Sequence, residues 1–95
     1  MDRPEAQSLL DAEIERLRSH SYAELCRLED PRNAEVKQAT GRTGTTYMLE
    51  VFAAWEEAPQ GPLRVIVNIQ DGLVRQIFPM SRSFVIHRDG TCVES

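Results

Sequence analysis

The chain has few of the residues on which metal centres and redox sites depend. Its 95 residues include only two histidines and two cysteines. Cys26 and Cys92 lie far apart, and no pair of His, Cys, Asp or Glu has a recognisable metal-ligand spacing with a second pair elsewhere. We therefore expect no metal, no cofactor and two reduced thiols.

The sequence also lacks a clear catalytic constellation. Nucleophilic catalysis needs Ser, Cys or Thr beside a base that is itself oriented. The best arrangement that the chain offers combines Cys26 or Cys92 with His87 and Asp89, and nothing in the sequence brings these residues together. We expect a non-catalytic protein, with an enzyme based on His87, acting with Asp89 or Cys92, as an alternative.

Glycines and threonines at 41–46 do not form a phosphate-binding loop. A P-loop places Lys and Ser or Thr directly after its last glycine and opens a helix, whereas Thr45 and Thr46 lead into an apolar alternation typical of a strand. The segment is predicted to be a hairpin turn.

Long hydrophobic runs are absent as well. No stretch approaches the ~20 apolar residues of a membrane-spanning helix. The first residues, Met1 to Glu5, do not combine a basic region with an apolar one, as a signal peptide would. We therefore expect a cytoplasmic protein without a membrane partner.

Positive charge is not in excess anywhere. Residues 1–30 carry eight acids and four bases, whereas residues 31–95 carry seven of each, so the net charge of −4 belongs to the N-terminal segment. Binding to a polyphosphate depends on clustered Lys and Arg. Nucleic acid is therefore not an expected partner.

Two apolar alternations, between Thr45 and Phe78, predict the central strands of a sheet. Every second residue from Tyr47 to Trp55 is apolar, and the same holds from Leu63 to Ile69. Around these strands the sequence predicts an α+β fold, in which an N-terminal helix and a short second helix pack on one face of a four- to five-stranded antiparallel sheet. The predicted helices cover 4–19 and 22–29, and the predicted strands cover 33–40, 46–56, 63–70, 73–78 and 84–87, with 81–83 as a loop.

The first predicted helix carries one narrow apolar stripe, Leu10, Ile14 and Leu17, and its polar side, including Glu13, is expected to face solvent. Ser21 and Glu24 have the spacing of a capping box, which predicts where the second helix begins.

Asp71 and Gly72 predict a hairpin after the third strand. A three-residue loop would pair Ile69 with Leu73, and a two-residue loop would shift that register. We prefer the first, because it mixes apolar and polar faces less.

The helices can cover only one side of such a sheet, although both sides carry apolar residues. The side opposite the predicted core holds Met48, Phe52 and Ile66 together with Arg64 and Asn68. We expect this side to bind protein, either a second copy in a homodimer or another partner to which the chain acts as an adaptor.

A small-molecule cup between helix and sheet is the alternative. Tyr47, Trp55 and Phe84 would line its pocket.

Overall fold

The computed structural model describes residues 2–71 and 80–94. An N-terminal helix and a short second helix pack on a five-stranded antiparallel open sheet, as the sequence predicts. The helices are α1 (Arg3–Arg18) and α2 (Tyr22–Cys26), and two 3-10 turns follow at Arg27–Glu29 and Pro31–Asn33. The strands are β1 (Glu35–Thr40), β2 (Thr46–Trp55), β3 (Leu63–Gln70), β4 (Met80–Ile86) and β5 (Cys92–Glu94), and they are ordered in the sheet as in the chain.

Helix α1 begins where its capping residues place it. The Asp2 side chain accepts a hydrogen bond from the Glu5 backbone N–H at 3.0 Å, and Pro4 occupies the first turn, where its missing N–H costs nothing. The predicted stripe of Leu10, Ile14 and Leu17 is buried to at least 98%. This stripe attaches the helix to the sheet.

The expectation that the polar side of α1 faces solvent is wrong for Glu13, because only 7% of this residue is exposed. Its carboxylate pairs with Arg16 and with Lys37 of β1, each at 2.7 Å, and Arg16 also contacts Glu35 of β1 at 3.1 Å. Burial would raise the pKa of Glu13, but hydrogen bonds from Arg16 and Lys37 more than offset it and lower this pKa. The sequence missed this link because Lys37 lies 24 positions away in the chain.

Helix α2 begins at the predicted capping box. The Ser21 hydroxyl accepts from the Glu24 backbone N–H at 3.1 Å, and the Glu24 carboxylate accepts from the Ser21 N–H at 2.8 Å. The α-helical part ends at Cys26, three residues earlier than predicted, and continues as a 3-10 turn to Glu29. Asp30 then caps a second 3-10 turn, which delays β1 to Glu35.

The sheet has two different faces because its strands alternate. Facing residues of β2 and β3, such as Val51 and Val67, are fully buried beneath the helices. Their neighbours along each strand point to the other side and are half-buried or exposed. The core therefore lies between the helices and one face of the sheet.

The partner of β3 differs from the prediction. Ile69 pairs with Met80, and the ladder continues to Leu63 with Ile86, so the expected register of Ile69 with Leu73 is wrong. Residues 81–83, predicted as a loop, belong to β4. The polar sequence Ser81-Arg82-Ser83 has a low intrinsic strand propensity. Pairing with β3 outweighs this low propensity. The predicted strand at 73–78 lies outside the described residues.

The turn between β1 and β2 holds a carboxylate from α1. Glu5 is 9% exposed and accepts hydrogen bonds from the Thr43 N–H at 2.9 Å, from the Thr43 hydroxyl at 2.8 Å and from the Tyr47 hydroxyl at 2.8 Å. A β-carbon at Gly41 would overlap the Glu5 carboxylate. The absence of a side chain at Gly41 is what lets this carboxylate enter the turn.

Within residues 2–71 and 80–94, no helix is both long and apolar enough to cross a bilayer.

Candidate functional site: the helix-free face of the sheet

The face of the sheet opposite α1 is a partly apolar surface that the described helices do not cover. It is here called the open face and consists of the outward residues of the five strands. Its larger apolar members are Val36, Met48, Phe52, Ile66, Val85 and Val93. The ladder register brings them onto one side, because paired residues of antiparallel strands point the same way.

The centre of the open face lies on β2 and β3. Phe52 pairs directly with Ile66, and both side chains are half-buried. Met48 lies on the same side of β2, one row beyond Glu50. Aromatic and branched side chains packed across a strand pair form a firm apolar ridge.

The edges of the open face are also apolar. Val36 on β1 is 63% exposed and Val93 on β5 is 48% exposed, and they are the two exposed large hydrophobic residues of the described chain. Both point to the open face, at opposite edges of the sheet. Exposed apolar side chains that are scattered singly need no explanation; here the two share one face of the sheet with Phe52 and Ile66.

Charge on the open face is small and mixed. Among its strand residues, Glu50 and Arg64 carry opposite charges. Arg64 forms an ion pair with Glu56 at the end of β2 and donates a hydrogen bond to the Ser83 hydroxyl at 2.8 Å. The excess of acids, in contrast, lies in residues 1–30, on the helical side. The open face is therefore nearly neutral although the chain is acidic.

The five residues predicted for the interaction face, Met48, Phe52, Ile66, Arg64 and Asn68, all lie on the open face. Sequence reasoning missed Val36, Val85 and Val93. Val36 lies in a weak alternation at an edge, and the other two could be assigned to this side only after the pairing of β3 with β4, and of β4 with β5, was known.

The residues predicted for a ligand pocket are not brought together. Tyr47 and Phe84 are fully buried, whereas Trp55 is half-buried at the far end of β2. Trp55 lies eight positions after Tyr47 on one extended strand, about 27 Å away at 3.4 Å per residue. One small ligand cannot contact both.

The residues of the enzyme hypothesis share the β4–β5 hairpin without forming a catalytic contact. The Asp89 carboxylate accepts a hydrogen bond from the Thr91 N–H at 2.9 Å, and Thr91 chiefly lowers the pKa of Asp89. The Cys92 sulfur lies 3.8 Å from the Gly90 carbonyl oxygen. In the described residues no hydrogen bond joins the His87 ring to Asp89 or to Cys92.

No group of three or more His, Cys, Asp or Glu side chains in residues 2–71 and 80–94 could hold a metal ion. Comparison with protein-family models, with curated proteins and with solved structures finds no match to this chain.

Proposed function

We propose that the protein is a non-catalytic interaction module whose open face binds the open face of a second copy. The observation that carries the proposal is the position of Val36 and Val93. Both exposed valines lie on the same face as the half-buried pair of Phe52 and Ile66, at the two edges of the sheet, with Val36 opposite Glu50 and Val93 opposite Val85. Several apolar side chains on one uncovered face, with polar residues between them, are typical of an interface.

The size of the open face suits a small homodimer. Five strands about 4.8 Å apart, with a mean length of about seven residues, give a projected area of about 550 Å². The accessible area of a layer of side chains exceeds its projection. It therefore approaches the ~800 Å² that each partner buries in a standard interface.

The charge on the open face is compatible with binding of a second copy. An isologous interface brings the same patch against itself, so any net charge on the patch would repel. Glu50 and Arg64 have opposite signs, and the acidic N-terminal helix lies on the other side of the sheet. Two copies can thus meet through the open face without opposing their acidic sides.

Replacing Phe52 by Glu is expected to convert the dimer into a monomer, because the variant would place a charge in the centre of the apolar interface. Sedimentation equilibrium at micromolar concentration measures the change. Ala12→Glu, at an exposed position on α1, is the matched control and should leave the mass unchanged. A Phe52→Glu variant that remains fully dimeric would place the contact elsewhere, for example at the edge of β1, where no strand of the described residues pairs.

We further propose that the protein works in the cytoplasm. Cys26 and Cys92 are both free and half-buried, and burial raises the pKa of the Cys26 thiol, which keeps it protonated near neutral pH. Titration of the denatured, non-reduced protein is expected to find two thiols per chain. A result of no thiol would require an oxidising compartment and contradict this location.

A further inference from the structure

A cleft of about 430 Å³ lies on the helical side of the sheet, at the end where β2 leaves the core. It is here called the Trp55 cleft and is lined by Tyr22, Ala23, Cys26, Trp55, Gln60 and Arg88. Its volume falls within the ~300 to 1,000 Å³ of typical small-molecule sites. Trp55 points away from the open face, so this cleft is separate from the proposed dimer interface.

The walls of the Trp55 cleft are aromatic and held in place. Tyr22 and Cys26 lie one helical turn apart on α2 and so share a side of the helix. The Tyr22 hydroxyl donates a hydrogen bond to the Gly61 carbonyl oxygen at 2.6 Å, which ties α2 to the loop between β2 and β3. Because this hydroxyl is already bonded, Tyr22 offers its ring to the cleft. Trp55 supplies a second ring.

The polar groups of the cleft come from two turns. Arg88 lies in the β4–β5 turn and is exposed, and no acid in the described residues forms an ion pair with it. Gln60 adopts a positive φ of 71°, a conformation that few residues other than glycine adopt. Backbone conformations of this kind are found more often at ligand-binding sites than elsewhere. Among the described residues, a guanidinium without an acidic partner and an exposed amide therefore stand beside two aromatic rings.

We propose that the Trp55 cleft binds a small planar monocarboxylate. The flat apolar body of the ligand would stack against Trp55 and Tyr22. Its carboxylate would accept two parallel hydrogen bonds from the Arg88 guanidinium, whose geometry matches a carboxylate. Cys26 contributes apolar wall, since its thiol stays protonated near neutral pH.

The indole N–H of Trp55 gives a direct readout, because it is the single tryptophan of the chain. Titration of the isotope-labelled protein with trans-cinnamate is expected to shift this NMR signal in a saturable way. Cinnamamide, which has the same ring and no charge, should bind about tenfold more weakly or not at all.

Two variants and one control variant separate the effect of charge from the effect of space in the cleft. Arg88→Met should weaken cinnamate binding about tenfold or more, whereas Arg42→Met, the same change in the exposed turn at the opposite end of β2, should have no effect. Ala23→Phe should fill the cleft and abolish the saturable shift. The proposal is overturned if cinnamate produces no saturable shift at millimolar concentration, if cinnamamide binds equally well, or if Arg88→Met binds like the unaltered protein.

Discussion

Replacing Ile14 by Ala is expected to lower the free energy of unfolding by about 2 to 4 kcal/mol. Ile14 is 1% exposed and lies in the middle of the stripe that packs α1 on the sheet. The substitution removes three buried carbon atoms, and the rigid sheet beneath cannot move to fill the cavity. A loss of this size is a large part of the ~5 to 15 kcal/mol that stabilises a small domain.

Urea unfolding measures this loss. Ala12→Gly, at an exposed position on the same helix, is a control for helix propensity and should cost only about 1 kcal/mol. An Ile14→Ala variant as stable as the unaltered protein would mean that the packing of α1 on the sheet does not stabilise the fold.

Gly41→Ala is expected to lower the thermal midpoint by about 5 to 10 °C. The backbone at Gly41 has no positive φ, so the effect comes from space. The new methyl group would overlap the Glu5 carboxylate, and moving that carboxylate would break its hydrogen bonds to Thr43 and Tyr47. A clash with a flexible side chain usually costs little free energy, because the side chain can move away. The Glu5 side chain is instead held by three hydrogen bonds.

A double-mutant cycle tests this explanation. In a Glu5→Ala background there is no carboxylate to displace, so Gly41→Ala should have little further effect on the thermal midpoint. If the two changes are additive, Gly41 acts independently of Glu5 and the explanation fails.

The hydrogen bonds of the Glu5 carboxylate also predict how the stability of the fold depends on pH. The backbone hydrogen bond from Thr43 is the main cause that lowers the Glu5 pKa below 4.5, with the Thr43 hydroxyl next; burial opposes them, and Tyr47 adds to the lowering. A lowered folded-state pKa gives stability that is present above pH ~4.5 and lost as the pH falls through the folded-state value. The difference in thermal midpoint between the unaltered protein and Glu5→Gln should therefore shrink at acidic pH.

The sequence predicts those parts of the fold that depend on neighbouring residues. The alternations of β2 and β3, the stripe of α1 and the capping box at Ser21 all act over a few positions, and the structure confirms them. The strand β4 could not be predicted in full, because its polar residues 81–83 form a strand only through pairing with β3. Its register depends on a contact between distant segments, which composition does not encode.

In the candidate site, too, the sequence predicts what depends on neighbouring residues and misses what depends on distant segments. Phe52 and Ile66 could be assigned to the open face from their own alternations, whereas Val85 and Val93 required the pairing of β3, β4 and β5. The Trp55 cleft could not be foreseen, because Tyr22 and Arg88 reach it from opposite ends of the chain. Glu13, which was expected to face solvent, is buried beside Lys37, and Glu5 is buried beside Tyr47; both partners lie far away in sequence.

The mass of the unaltered protein in solution tests most directly whether the open face joins two copies. One chain has a mass of 10.8 kDa. Sedimentation equilibrium across the micromolar range is expected to give twice that mass, with dissociation toward one chain on dilution. A mass of a single chain throughout that range would contradict the proposed homodimer.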